Sequence, residues 1–151
     1  MEETKLRIMG IDFGDSRIGV ALSDPLGIMA SPLTIITRTE ETRDIEVIID
    51  IIHQNEVGRI VMGLPISMDG TISKQAEKVK QFATKLGNKI DIPIEFQDER
   101  LSTVVAKNMM QKARKTDRKT RYDAAAAALI LQSYLDNNAP PTSSEEPDFQ
   151  K

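Results

Sequence analysis

The hydrophobic period changes partway along this chain, and the order of the changes leaves few folds open. Residues 6–13 (Leu-Arg-Ile-Met-Gly-Ile-Asp-Phe) and 17–22 read as strands on either side of Gly14-Asp15-Ser16, which has turn chemistry. They predict an antiparallel hairpin. A third strand over 33–37 follows a loop containing Pro25, Gly27 and Pro32, so the sheet opens as a three-stranded meander.

From residue 41 to about 55 the period becomes helical, with Ile45, Ile48, Ile49 and Ile52 on one face. Arg59-Ile60-Val61-Met62-Gly63 is a short apolar run of the kind that a parallel sheet buries on both sides. A second helix is expected over 73–86, burying Ala76, Val79, Ala83 and Leu86. Residues 94–99 alternate as a strand that tolerates Pro93 at its start, and Ser102 is a plausible N-cap for a helix to about Gln111. The last helix is expected over 121–136. The order β-β-β-α-β-α-β-α-α predicts an α/β fold: a mixed central sheet, antiparallel in its first three strands and then parallel, flanked by helices. The pattern leaves the strand order open.

A chain of 151 residues holds one domain with a core of its own. That domain is expected over 1–137, with 138–151 as an acidic, proline-containing tail that has too little apolar surface to repay ordering. No cysteine is present, which excludes disulfides, thiolate zinc sites and thiol nucleophiles. The acidic start Met1-Glu2-Glu3 lacks the features of a secretory signal, and the longest apolar run, 124–131, is far short of a membrane span. A cytoplasmic protein that engages no membrane is the expectation.

A net charge of −3 argues against a polyanionic partner until its distribution is considered. Lys112, Arg114, Lys115, Arg118, Lys119 and Arg121 face only Asp117 between them, so a basic arm projects from an acidic body. A solvated loop is the plainer account of such a run.

Three carboxylates are candidates for chemistry. Asp12 ends the first strand, where open α/β sheets place ligands, although an Asx turn would also use it. Glu99 ends the strand over 94–99, and the pleat sends Asp98 to the opposite side; a surface pair between Glu99 and Arg100 is the alternative. Asp123 opens the last helix ahead of five alanines, where the helix dipole alone would favour an acid. The alanines let that helix approach the sheet closely. Three acids converging without cations would repel one another, and divalent metal removes the conflict. Two Mg²⁺ or Mn²⁺ ions about 4 Å apart would serve phosphodiester hydrolysis, with the basic arm holding the substrate over them.

Gly10-Ile11-Asp12-Phe13-Gly14 through Ser23-Asp24, Gly63-Leu64-Pro65 with Met68-Asp69-Gly70, Asp98-Glu99-Arg100-Leu101-Ser102-Thr103, and Asp123 with its alanines resemble the successive motifs of the YqgF family. The resemblance covers nearly the whole chain from Leu6 to Leu135. It implies a ribonuclease H-like fold related to the RuvC-type resolvases. It also implies a nuclease of ribosome biogenesis acting on the 5′ end of the 16S ribosomal RNA precursor, with a Holliday junction resolvase-like endonuclease and a non-catalytic RNA-binding module as alternatives. Asp12, Glu99 and Asp123 match the family's catalytic metal ligands. Arg17, Arg100 and the arm from Lys112 to Arg121 match regions that would meet structured RNA or branched DNA, and Ser67 is a further candidate contact. Tyr122 and Asp15 depart from the family pattern, which touches substrate preference rather than the acids. Both monomer and homodimer remain open.

Other chemistries lose ground on the same residues. His53, the sole histidine, sits at the polar end of a helix and reads as a surface residue, so a histidine-based mechanism is not expected. The segment 63–70 lacks the Gly-Lys-Ser/Thr of a Walker loop. The Asp-x-Gly turn also resembles the phosphate loop of actin-like kinases, but this length cannot hold their second domain. Six aromatic residues without tryptophan offer no base-stacking platform, so recognition is expected to rest on backbone and shape.

Overall fold

Three consecutive stretches of strand-forming residues build the hairpins expected of them: β1 (Arg7–Phe13), β2 (Arg17–Ser23) and β3 (Ala30–Thr37), each antiparallel to the one before. The computed structural model describes residues 6–66, 73–98 and 119–138, with side chains placed except at 119–123 and 138. β3 starts earlier than its apolar run suggested, because Ser31 and Pro32 pair with Leu22 and Ala21. Proline is tolerated there since β3 is an edge strand with a register irregularity opposite Val20 and Ala21.

Helix α1 (Glu41–Gln54) buries Ile45, Ile48 and Ile52, the face that the period predicted. It leads into β4 (Val57–Leu64), parallel to β1 and buried from Ile60 to Leu64. Helix α2 (Lys74–Gly87) is capped by Ser73, whose hydroxyl accepts from the Ala76 amide at 3.1 Å and donates to the Pro65 carbonyl at 2.9 Å. Phe82 joins the apolar face of α2 expected from spacing, and its ring centroid lies 4.5 Å from that of Phe13. β5 (Ile94–Asp98) is parallel to β4. Helix α3 (Lys119–Asn138) begins within the basic arm and reaches Asn138, longer at both ends than its apolar pattern. Polar residues are tolerated in terminal turns, where few backbone bonds depend on neighbouring side chains. The helix expected over 102–111 and residues 139–151 lie outside the described residues.

The strand order is β3-β2-β1-β4-β5. β1 therefore lies at the centre, paired on one edge by an antiparallel strand and on the other by a parallel one. Its side chains divide two helical layers. Met9, Ile11 and Phe13 pack with α1 and α2, whereas Ile8 joins Ala21 and Val61 against Ala127, Leu131 and Tyr134 of α3. Among the described residues no helix is long and apolar enough to cross a membrane.

Gly10 lies on the α3 side of β1. A Cβ there would come within 2.7 Å of the Leu131 Cβ and 2.9 Å of the Ala127 carbonyl oxygen. The helix backbone thus rests on the strand itself, as the alanine run permits. Farther along, the Tyr134 hydroxyl donates to Glu95 Oε1 at 3.0 Å and accepts from Arg59 Nη1 at 3.2 Å, while Arg59 also pairs with Glu95. Burial raises the Tyr134 pKa and the bond to Glu95 adds to the rise, so the hydroxyl remains a donor. Gln132 accepts from the Ala30 amide at 2.9 Å and donates to the Ile28 carbonyl at 3.0 Å. These bonds hold the carboxy-terminal half of α3 from both sides. Gly10→Ala is expected to cost about 1–3 kcal/mol, since the atoms it meets include backbone that must shift. Chemical denaturation checks this, and an unchanged midpoint would mean that the helix has slack.

Candidate functional site

Asp12 stands next to last in β1, half-buried, two residues beyond Gly10 and on the same α3 side by strand parity. Across β2 it is level with Gly19. Across β4, Ile11 pairs with Met62, so one further step along both parallel strands brings Asp12 level with Gly63. Glycine thus stands level with Asp12 on both adjacent strands.

The turn after Asp12 is tied to α1. Arg38 donates from Nη1 to the Gly14 carbonyl at 2.9 Å and from its amide to the Ser16 carbonyl at 2.9 Å. Its guanidinium lies 4.5 Å from the centroid of the Phe13 ring. Asp44, 1% exposed, accepts from Arg38 Nε at 3.1 Å and from the amide and hydroxyl of Thr39 at 3.1 and 3.2 Å. The Gly14 amide donates to the Arg17 carbonyl at 2.9 Å, closing the hairpin. A buried acid on α1 thus holds the arginine that braces the segment carrying Asp12.

Asp98 ends β5 level with Leu64 and shares parity with Ile94, which packs toward α1 and α2. It faces away from α3, the side opposite to that reached by Glu95 and Gln97. Glu99 lies outside the described residues. Asp123 belongs to the helical backbone of α3, four residues before Ala127 and eight before Leu131, the two residues in closest approach to Gly10. Its side chain is outside the described set. Arg17 opens β2 and is half-buried. Lys119 and Arg121 belong to the first turn of α3 in backbone only, while Ser67, Arg100, Lys112, Arg114, Lys115 and Arg118 lie outside the described residues. His53 is exposed, as its position predicted.

Among the described residues, no three acids or histidines group closely enough to hold a metal. Of the expected trio only Asp12 has a described side chain. Its chemistry, a half-buried carboxylate, suits a hard cation that takes oxygen ligands. Sequence reasoning missed Arg38, Asp44 and Gln97. The last had a visible signal: Glu95, Gln97 and Glu99 place polar groups at alternate positions of a strand whose other positions carry Ile94 and Phe96.

The RuvX family model, described as Holliday junction resolvase, matches residues 6–137. A protein of Desulforamulus reducens named "Putative pre-16S rRNA nuclease" is 48% identical over 136 residues, covering 89% of this chain and 99% of its own length. One of the same name from Dehalococcoides mccartyi is 48% identical, covering 85% and 96% respectively. Among solved structures, Thermus thermophilus RuvC in complex with Holliday junction substrate superposes with a TM-score of 0.58 at 12% identity, covering 88% of this chain and 96% of that one. The Fowlpox virus resolvase in its complex with junction DNA gives 0.58 at 9% identity, over 89% and 100%. At these identities the structural likeness bears on the fold, which is the ribonuclease H-like fold that the resemblance implied.

Proposed function

The chain belongs to the RuvX family, and from that premise we propose that it is a divalent-metal-dependent nuclease that processes the 5′ end of the 16S ribosomal RNA precursor. The observation that carries this reading is Asp12: a carboxylate between two glycines on the side of the sheet against which α3 lies, where a helix backbone touches the strand at Gly10. Asp123 precedes Ala127 by about 6 Å of helix, and Asp12 follows Gly10 by about 6.6 Å of strand. Both intervals run toward the carboxyl end of β1. In the sequence, Glu99 follows Glu95 and Gln97 at the same two-residue spacing. The three acids would together hold Mg²⁺ or Mn²⁺, with two ions as the working expectation.

When bound, the metal supplies activation of water and neutralises charge on the phosphate. The remaining work belongs to the chain. Its acids would bind and orient the substrate through the metal. Lys112, Arg114, Lys115, Arg118, Lys119 and Arg121, with Arg17, Arg100 and Ser67, would hold the polyanionic backbone. The cytoplasm is where such a substrate is met.

A junction-cleaving activity is the second reading, favoured by the family description and by the fold shared with resolvases. The two are separated by incubating the full-length protein with a 16S precursor RNA and, in parallel, a four-way DNA junction, in Mg²⁺ or Mn²⁺ and in EDTA. Cleavage of the RNA near the mature 5′ end, abolished by EDTA and restored by metal, is expected. Cutting of the junction alone would transfer the proposal to the resolvase reading. Cutting that survives chelation, or binding without cutting in every condition, would remove the metal-dependent nuclease.

A further inference from the structure

Glu95 and Gln97 of β5 both extend toward α3, and only the first finds partners there, in Tyr134 and Arg59. Gln97 is 7% exposed, and its Nε2 is buried with no hydrogen-bond partner among the described residues. A buried amide donor left unsatisfied costs stability, and folding alone gives no reason to retain one where leucine or methionine would fill the same volume. Such a donor is understandable if its acceptor arrives with a ligand.

The register indicates which ligand. Gly63 pairs with Gln97, and Asp12 lies level with Gly63 on the other side. The row across the sheet therefore reads Gly19, Asp12, Gly63, Gln97. Two strand spacings, about 10 Å between Cα positions, separate the carboxylate from the amide, and the residue between them has no side chain. On one side of Gly63 is an anion suited to cations, and on the other a neutral donor suited to anions. A lysine at position 97 would compete with metal for Asp12, and a fourth acid would repel the substrate. A glutamine does neither.

We propose that Gln97 is a further substrate-binding residue, its side-chain amide donating a hydrogen bond to a non-bridging phosphate oxygen of the nucleic acid held beside Asp12. The inference rests on the nuclease reading above and adds a contact to it. Hydrogen bonds from a neutral amide to a phosphate oxygen are charge-assisted and among the stronger ones available to an uncharged side chain. The substrate thereby satisfies a donor that the described residues leave open.

The test uses the full-length protein, Gln97→Met and Gln97→Glu, with labelled 16S precursor RNA and a four-way DNA junction as probes in Ca²⁺. Melting temperature, binding and the ¹H–¹⁵N side-chain signal of Gln97, assigned by its loss in Gln97→Met, are read together. Expected are an unchanged or raised melting temperature for Gln97→Met, affinity weakened roughly 10- to 100-fold in both variants, and a shift of the wild-type Gln97 amide signal when nucleic acid is added. A lowered melting temperature with unaltered affinity would assign Gln97 a partner inside the fold and overturn the inference while leaving the nuclease reading intact. Wild-type binding to neither probe would overturn both. Should Gln97→Met fail to fold, Gln97→Glu and the wild-type amide signal decide: a signal indifferent to bound nucleic acid counts against the contact.

Discussion

Asp12→Asn is expected to reduce cleavage about a thousandfold or more while leaving the folded protein intact. The substitution preserves size and one carbonyl oxygen but removes the charge that holds a cation. Asp12 is level with glycine on both adjacent strands, and asparagine keeps its shape there. Catalytic groups that act as a unit lose most of the rate when any one is removed, so Glu99→Gln and Asp123→Asn are expected to fall by comparable factors, and the triple variant by little more than each alone. Stability supplies an independent readout. Mn²⁺ should raise the melting temperature of the wild type through preferential binding to the folded state, and should raise that of Asp12→Asn far less. Wild-type rates in the Asp12→Asn protein would exclude this acid from the chemistry.

The largest effect on stability is expected from Asp44→Ala, at about 3 kcal/mol, near the lower end for breaking a buried pair because Arg38 keeps some contact with water. Asp44 is 1% exposed and satisfies three donors, one from Arg38 and two from Thr39. Alanine leaves Arg38 Nε and the amide and hydroxyl of Thr39 without their acceptor. For a domain of this size the loss corresponds to a fall of roughly 10 °C in melting temperature. Activity should decline as well at temperatures where the protein remains folded, because Arg38 braces the Gly14 carbonyl beside the strand end that carries Asp12. A melting temperature within about 2 °C of wild type would show that the pair contributes little and that the turn is held by its backbone bonds.

Legibility along the chain followed the range of the interaction involved. The helical stripe Ile45, Ile48, Ile52 and the parallel-strand run Ile60 to Gly63 were readable because local periodicity reports which face is buried. The antiparallel opening was readable from Gly14-Asp15-Ser16, whose turn chemistry is local too. The early start of β3 was not, since Ser31 and Pro32 have little strand propensity and are drawn into the sheet by pairing with Leu22 and Ala21. Asp12 could be singled out as an acid at a strand end. For Gln97 the alternation of β5 marked only a polar position, because its burial without a hydrogen-bond partner among the described residues emerges only when β5 lies beside β4.

By itself the amino-acid order determined the succession of strands and helices among the described residues and the small residues that permit close approach, since these depend on neighbours within a few positions. The tertiary structure alone decided that β1 is central, that the row Gly19, Asp12, Gly63, Gln97 exists, and that Arg38 joins the Gly14 turn to Asp44. Those relations join segments tens of residues apart. Their free energy comes from pairing and burial that no local window contains, so they become definite only when the layers close on one another.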